Sequence, residues 1–209
     1  MDRVGHGNIQ RVLALIDYLA GHGVDIDLVY QGNPGVPPAT DAYAKCRRVV
    51  RVDAWKSSDD DALVREVEAF YQGYEPAPAN FGPGSALTRV VRGLLDAVDY
   101  TAVISSYAWT APIFEPLQHR ALRIVDLHDV ISLHGARAKA ATGVASPFSL
   151  TPETEQYLWR KWDVLLAITH DEALLVASAI RPTQRVLTAG HAVSAQPTMS
   201  SNSRSEEHT

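Results

Sequence analysis

Apolar residues Ile9, Val12, Leu13, Ile16 and Leu19 recur at helical spacing, with Asn8 suited to cap the start and Gly21 or Gly23 to end the helix. VDIDLVY (24–30) alternates apolar and polar positions and predicts a strand, and RRVVRVD (47–53) predicts a second. Between them QGNPGVPPATDAY holds too much Gly and Pro for either element. SSDDDALVREVEAFYQGY (57–74) predicts a helix whose first-turn acids suit the macrodipole, and EPAPANFGPG then breaks the chain. SALTRVVRGLLDAV predicts a helix with a Ser cap, YTAVISSY a strand, TAPIFEPLQ a short helix and ALRIVDLHD a strand. From 132 to 152 the chain reads as a mobile segment of small residues. ETEQYLWRKW then predicts a helix, DVLLAIT a strand, HDEALLVASAI a helix, and TQRVLTAGHAV a strand and turn.

Strands thus alternate with helices along the chain, and several are short continuous apolar runs of the kind buried on both faces. The pattern predicts an α/β fold, a doubly wound and mostly parallel sheet with right-handed crossovers. In such sheets ligands bind at the carboxyl ends of the strands, so polar clusters just after strands are the candidate chemistry.

VGHGN (4–8) runs straight into the first helix. Small residues there let a phosphate approach the backbone, and the helix start supplies N–H groups and a positive dipole end. It is neither a GxGxxG nor a P-loop, and a turn that merely permits tight packing fits as well. DLHD (126–129) ends a strand. His128 there suits contact with a sugar hydroxyl or reacting group, with Asp126 or Asp129 orienting it. The alternative is a helix cap at Asp129 beside a satisfied imidazole, while a zinc site from His128, Asp129 and His134 matches no metal-ligand spacing. ISSYAWTAP (104–112) sets Tyr107 and Trp109 at another strand end, where they would stack on a sugar ring or close the core. In ITHDEA (168–173), Thr169, Asp171 and Glu172 suit N-capping better than ligand contact. Trp159 and Trp162, three apart, read as core. There is no G-x-S-x-G and no motif around Cys46, so serine or cysteine hydrolase chemistry has no support.

Bulk properties narrow the classes further. The 209 residues, 46% hydrophobic and 21% charged, suit one domain with a real core. A net charge of -5 without any basic run argues against nucleic acid as a partner. Cys46 is the single cysteine, which excludes an intrachain disulfide and suits a reducing cytoplasm. No apolar run reaches the length of a bilayer span, and MDRVGHGN has no signal-peptide apolar region.

The order of GHGNIQRVLALIDYLAGHGVDIDLVY, VDYTAVISSYAW, RIVDLHDVIS, ETEQYLWRKWDVLLAITHDEA and RVLTAGHAV resembles the N-terminal, acceptor-side half of a family 4 retaining glycosyltransferase of GT-B architecture. The resemblance covers residues 1–193 and implies a Rossmann-like domain. It implies sugar transfer from a nucleotide-sugar donor to a glycan or lipid-linked hydroxyl acceptor with retention, as in polysaccharide or glycoconjugate synthesis. Gly5, Gly7 and Asn8 would lie at the donor diphosphate, and His128, with Asp129, at the transferred sugar. Tyr107, Trp109 and Glu172 would be acceptor or sugar contacts. No metal and no other cofactor is expected, because backbone N–H groups and basic side chains can stabilise the leaving diphosphate. The expected location is the cytoplasm, with peripheral contact at the inner membrane face open. Two rivals remain: a GT-B-type sugar-nucleotide epimerase, which would need no acceptor, and a non-catalytic α/β binding module.

The family pattern also implies a strand ahead of VGHGN and a C-terminal Rossmann-like domain carrying a pair of glutamates, required to complete the site. Residues 194–209 lose all periodicity and read as a disordered tail. RSEEHT (204–209) matches one reading frame of a common sequencing adapter that begins AGATCGGAAGAGCACAC, so it is expected to be translated adapter. Sequencing the source DNA outward from both ends should add an apolar strand before VGHGN and about 150–200 further residues of α/β sequence, one more domain. A genuine start signal before Met1 and a stop codon after Thr209 would instead define a natural half-enzyme.

Overall fold

The computed structural model describes residues 7–32, 41–53, 85–114, 120–133, 140–141, 143 and 150–190. In chain order these form α1 (Gly7–Gly21), β1 (Asp27–Gly32), a 3-10 turn (Asp41–Lys45), β2 (Arg48–Asp53), α2 (Ala86–Ala97) and β3 (Ala102–Ser106). A second 3-10 turn (Ala108–Phe114), β4 (Leu122–Asp126), α3 (Pro152–Trp159), β5 (Val164–Ala167), α4 (His170–Ala179) and β6 (Arg185–Thr188) follow. The helix expected over 57–74 and most of the segment 132–152 lie outside the described residues, as does the tail.

Every strand pairing is parallel, so the fold is α/β as the alternation predicts. The expectation of one continuous sheet needs correction. The strands form two sheets, β1-β2 and β3-β4-β5-β6, with no ladder between β1 and β3 among the described residues. Two connections link them. Helix α2 packs on β1, on β2 and on the turn that follows β3. The Tyr100 hydroxyl, just ahead of β3, donates to the carboxylate of Asp27 at the start of β1.

Local chemistry explains most element boundaries. α1 ends in a Schellman motif: Val24 N–H bonds Leu19 O at 3.1 Å and Gly23 N–H bonds Ala20 O at 3.0 Å. Gly23 takes φ 74°, which only glycine adopts without strain. The helix begins at Gly7, so Asn8 lies in its first turn and not ahead of it. Ser85 caps α2 by accepting Thr88 N–H at 3.0 Å. Thr169 and Glu172 form a full capping box at α4, the role their position favoured. The helix expected over 110–118 is a 3-10 turn over Ala108–Phe114, because Pro112 inside it supplies no N–H.

The core is densest on the four-stranded sheet. β5, VLLA, is apolar throughout, and Leu165, like Val125 of β4, is fully buried. Phe114 meets Trp162 edge to face at 5.4 Å between ring centroids. Trp159 and Trp162 are both buried, as their spacing predicts. By contrast β1 and β3 contain no fully buried residue, and Ile104 of β3 is 39% exposed. Among the described residues no helix is long and apolar enough to cross a membrane.

At the amino end of β1, Asp27 accepts Arg47 Nε–H at 2.9 Å and Nη2–H at 2.7 Å. The Arg47 hydrogen bonds, opposed in part by burial and helped by Tyr100, hold the Asp27 carboxyl down at about 2. A carboxyl depressed on folding stabilises the folded state above its unfolded value, and that stabilisation disappears as pH falls through the folded value. Urea melts should therefore lose stability between about pH 4 and pH 2. Asp27→Asn should lower stability at pH 7 by about 1 kcal/mol and flatten that acid limb. An unchanged limb in the variant would assign the acid loss to other groups.

Candidate functional site

Strand register builds the site. Ser106, Asp126, Leu166 and Leu187 stand side by side across β3, β4, β5 and β6. The residues just beyond them, Tyr107, Leu127–His128 and Ala189–Gly190, therefore emerge together at the carboxyl edge. Backbone bonds extend the register past the strands: Tyr107 N–H to Asp126 O at 2.8 Å, Leu127 N–H to Leu166 O at 3.1 Å, and Ala189 N–H to Ala167 O at 2.8 Å.

Two residues leave this edge in left-handed conformation, Tyr107 at φ 67° and His128 at φ 57°. Neither is glycine, so each costs of order 1–3 kcal/mol and persists only where surrounding bonds impose it. They turn their rings toward each other, with centroids 4.7 Å apart, and Trp109 stacks on Tyr107 at 4.1 Å and 11°. The turn behind Tyr107 is held by Thr110, whose hydroxyl donates to Tyr107 O at 2.8 Å and bonds the Ser105 hydroxyl at 2.7 Å. β4 stops at Asp126, short of the strand expected through 129, because His128 abandons extended geometry.

Under this ring cluster lies a buried ion pair. Arg11 Nε reaches both carboxylate oxygens of Asp126, at 2.8 and 2.7 Å, and the two side chains are 5% and 3% exposed. Arg11 Nη1 donates to the carbonyls of Ala189 and Gly190, the latter at 3.0 Å. One guanidinium thus ties α1 to the ends of both β4 and β6. His128 Nε2 stands 3.8 Å from Asp126 Oδ2, beyond hydrogen-bond length but inside ion-pair range when the ring is charged. Arg11 thus neutralises the Asp126 carboxylate that lies beside the imidazole.

A second buried acid supports the segment beyond His128. Glu155 of α3, 2% exposed, accepts Ile131 N–H at 2.8 Å and Ser132 N–H at 2.9 Å. Burial raises its carboxyl above the ordinary value, against the pull of the Ser132 and Ile131 bonds and with the push of Asp129.

The structure gathers His128, Tyr107 and Trp109 at one edge, with Asp126, one of the two expected orienters, 3.8 Å from the imidazole. Asp129 follows directly and is half-buried. Gly7 and Asn8 open α1, a turn ahead of Arg11, while Gly5 lies outside the described residues. Glu172 is half-buried, and its carboxylate accepts Thr169 N–H at 3.2 Å within the cap. Among the described residues no group of three or more His, Cys, Asp or Glu is placed to hold a metal ion.

Arg11 and Glu155 are absent from the expected set, though each carries a signal. Arg11 is the only charged residue between Gly7 and Ile16 of α1. Glu155 occupies the stripe of Leu158, Trp159 and Trp162, at i, i+3, i+4 and i+7, so its carboxyl enters the core. No family model, no curated protein and no solved structure matches this chain.

Removing either partner of the buried pair strands the other's charge, so Arg11→Ala and Asp126→Ala should each cost about 3–5 kcal/mol in denaturant melts. The double variant should cost well below the sum, since neither charge is then left alone. Additive losses would mean that the pair is uncoupled.

Proposed function

We propose that this chain is the acceptor-side half of a retaining glycosyltransferase of GT-B architecture, transferring a sugar from a nucleotide-sugar to a hydroxyl of a glycan or lipid-linked acceptor. The observation that carries the reading is the convergence of His128 with the stacked Tyr107–Trp109 pair at the carboxyl edge of adjacent parallel strands, where α1 is pinned by Arg11. Ligands of open parallel sheets bind at that edge.

In this reading each group has a defined task. The first turn of α1, with Gly7 and Asn8, offers backbone N–H groups and the positive end of the helix dipole to the donor diphosphate, and Gly5 precedes it in the chain. The His128 imidazole, beside Asp126, bonds a hydroxyl of the transferred sugar, and Asp129 adjoins it. Tyr107 and Trp109 present aromatic faces to the apolar side of a sugar ring. Helix N–H groups and cationic side chains stabilise the leaving diphosphate, so the reaction as proposed requires no metal. A C-terminal domain would close over the donor and supply the rest of the site, so this half alone binds without turning over.

Amide NMR on the 15N-labelled chain, titrated with UDP-, GDP- and ADP-hexoses at millimolar concentration, tests this. One of them should shift amides at 7–11, 107–109 and 127–129, and His128→Ala should weaken that binding about tenfold, the loss of one strong polar contact. Flat spectra with all three donors would overturn the reading.

A further inference from the structure

We infer that Glu155 is a positioning residue for His128: its buried carboxylate, delivered from α3, grips the backbone just beyond the imidazole and holds it in the left-handed conformation that turns its ring to Tyr107. The inference rests on the reading of His128 as a site residue.

The geometry is specific. Both carboxylate oxygens are used, one on Ile131 N–H and one on Ser132 N–H, at 2.8 and 2.9 Å. These N–H groups open the helical turn over 131–133, where backbone donors have no partner within the turn itself. An ordinary cap would come from the residue just ahead, whereas this one comes from 24 and 23 residues further along the chain. The Glu155 side chain is 2% exposed, a burial at which an apolar side chain would avoid the cost of burying a carboxyl group. A group retained there for packing alone would have no use for its charge. What the carboxylate accomplishes is a two-point hold on Ile131 and Ser132, three and four residues past His128. On the other side of His128, Leu127 is fixed by its bond to Leu166 O, and Asp126 by Arg11. His128 is therefore clamped from both directions, and Glu155 provides the downstream clamp. Asp129, which repels the Glu155 carboxylate, is the other acid facing it.

The test needs neither nucleotide nor sugar, so it separates this inference from the functional proposal. The chain contains eight histidines, and ring-labelled histidine gives their imidazole resonances, with His128 assigned from its absence in His128→Gln. Glu155→Gln keeps the shape but replaces one acceptor oxygen by a donor amide that opposes an N–H. It should move the His128 resonance selectively and speed amide exchange at Ile131 and Ser132 about tenfold or more. Glu155→Asp keeps the charge and shortens the reach, and should do the same. Leu158→Ala, a cavity in the same helix, should lower stability and leave the His128 resonance in place. In the wild-type chain itself, Ile131 and Ser132 amides should exchange only with global unfolding. Local fast exchange there, or Glu155 variants that shift melting but not His128, would overturn the inference.

Discussion

The ion pair between Arg11 and Asp126 is the contact on which the carboxyl edge of the four-stranded sheet depends. It joins residues 115 positions apart and lies almost wholly out of water. Charges so placed gain little net stability, because the cost of desolvating both offsets most of their attraction. Their value is directional. The Arg11 fork can satisfy Asp126 and the carbonyls of Ala189 and Gly190 only if α1, β4 and β6 keep one relative placement. An apolar pair of equal volume would hold those elements together but would tolerate sliding. Here the start of α1, the imidazole of His128 and the end of β6 are locked to a common point.

Parallel topology supplies the rest. Four strands in sequence order and in register bring successive strand ends to neighbouring positions, so chemistry separated along the chain becomes adjacent at one edge. This is why alternation and apolar runs were enough to anticipate the α/β class. The local caps were equally readable. Ser85, Thr169 with Glu172, and the glycine after α1 act within a few residues, and their bonds depend on little beyond the sequence around them. Trp159 and Trp162 are both buried as well, although α3 ends at Trp159 and Trp162 lies beyond it.

What sequence could not supply depends on long-range partners. β4 was expected to run through His128, since nothing in LRIVDLHD marks a left-handed residue, and that conformation is imposed from outside. The division into two sheets was likewise invisible, because pairing between β1 and β3 is decided by what lies between them and not by either strand's pattern. Arg11 and Glu155 were visible only as local inconsistencies, a lone charge between Gly7 and Ile16 and an acid on an apolar stripe. Such conflicts between local preference and global environment tend to mark functional or strained positions. Each proves to be a clamp on the segment that carries His128.

The energetics show why both clamps are needed. Two left-handed residues at adjacent strand ends store of order 1–3 kcal/mol each, and stacking between their rings returns only about 0.5–1.5 kcal/mol. Rings alone therefore do not hold His128 and Tyr107 in place. The segment 126–132 is held by hydrogen bonds to buried ionisable side chains on both flanks, Arg11 upstream and Glu155 downstream. Together they exclude the extended conformation that β4 would otherwise continue. The orientation of the imidazole is thus set by two buried ionisable side chains on α1 and α3, neither of which belongs to the strand that carries it.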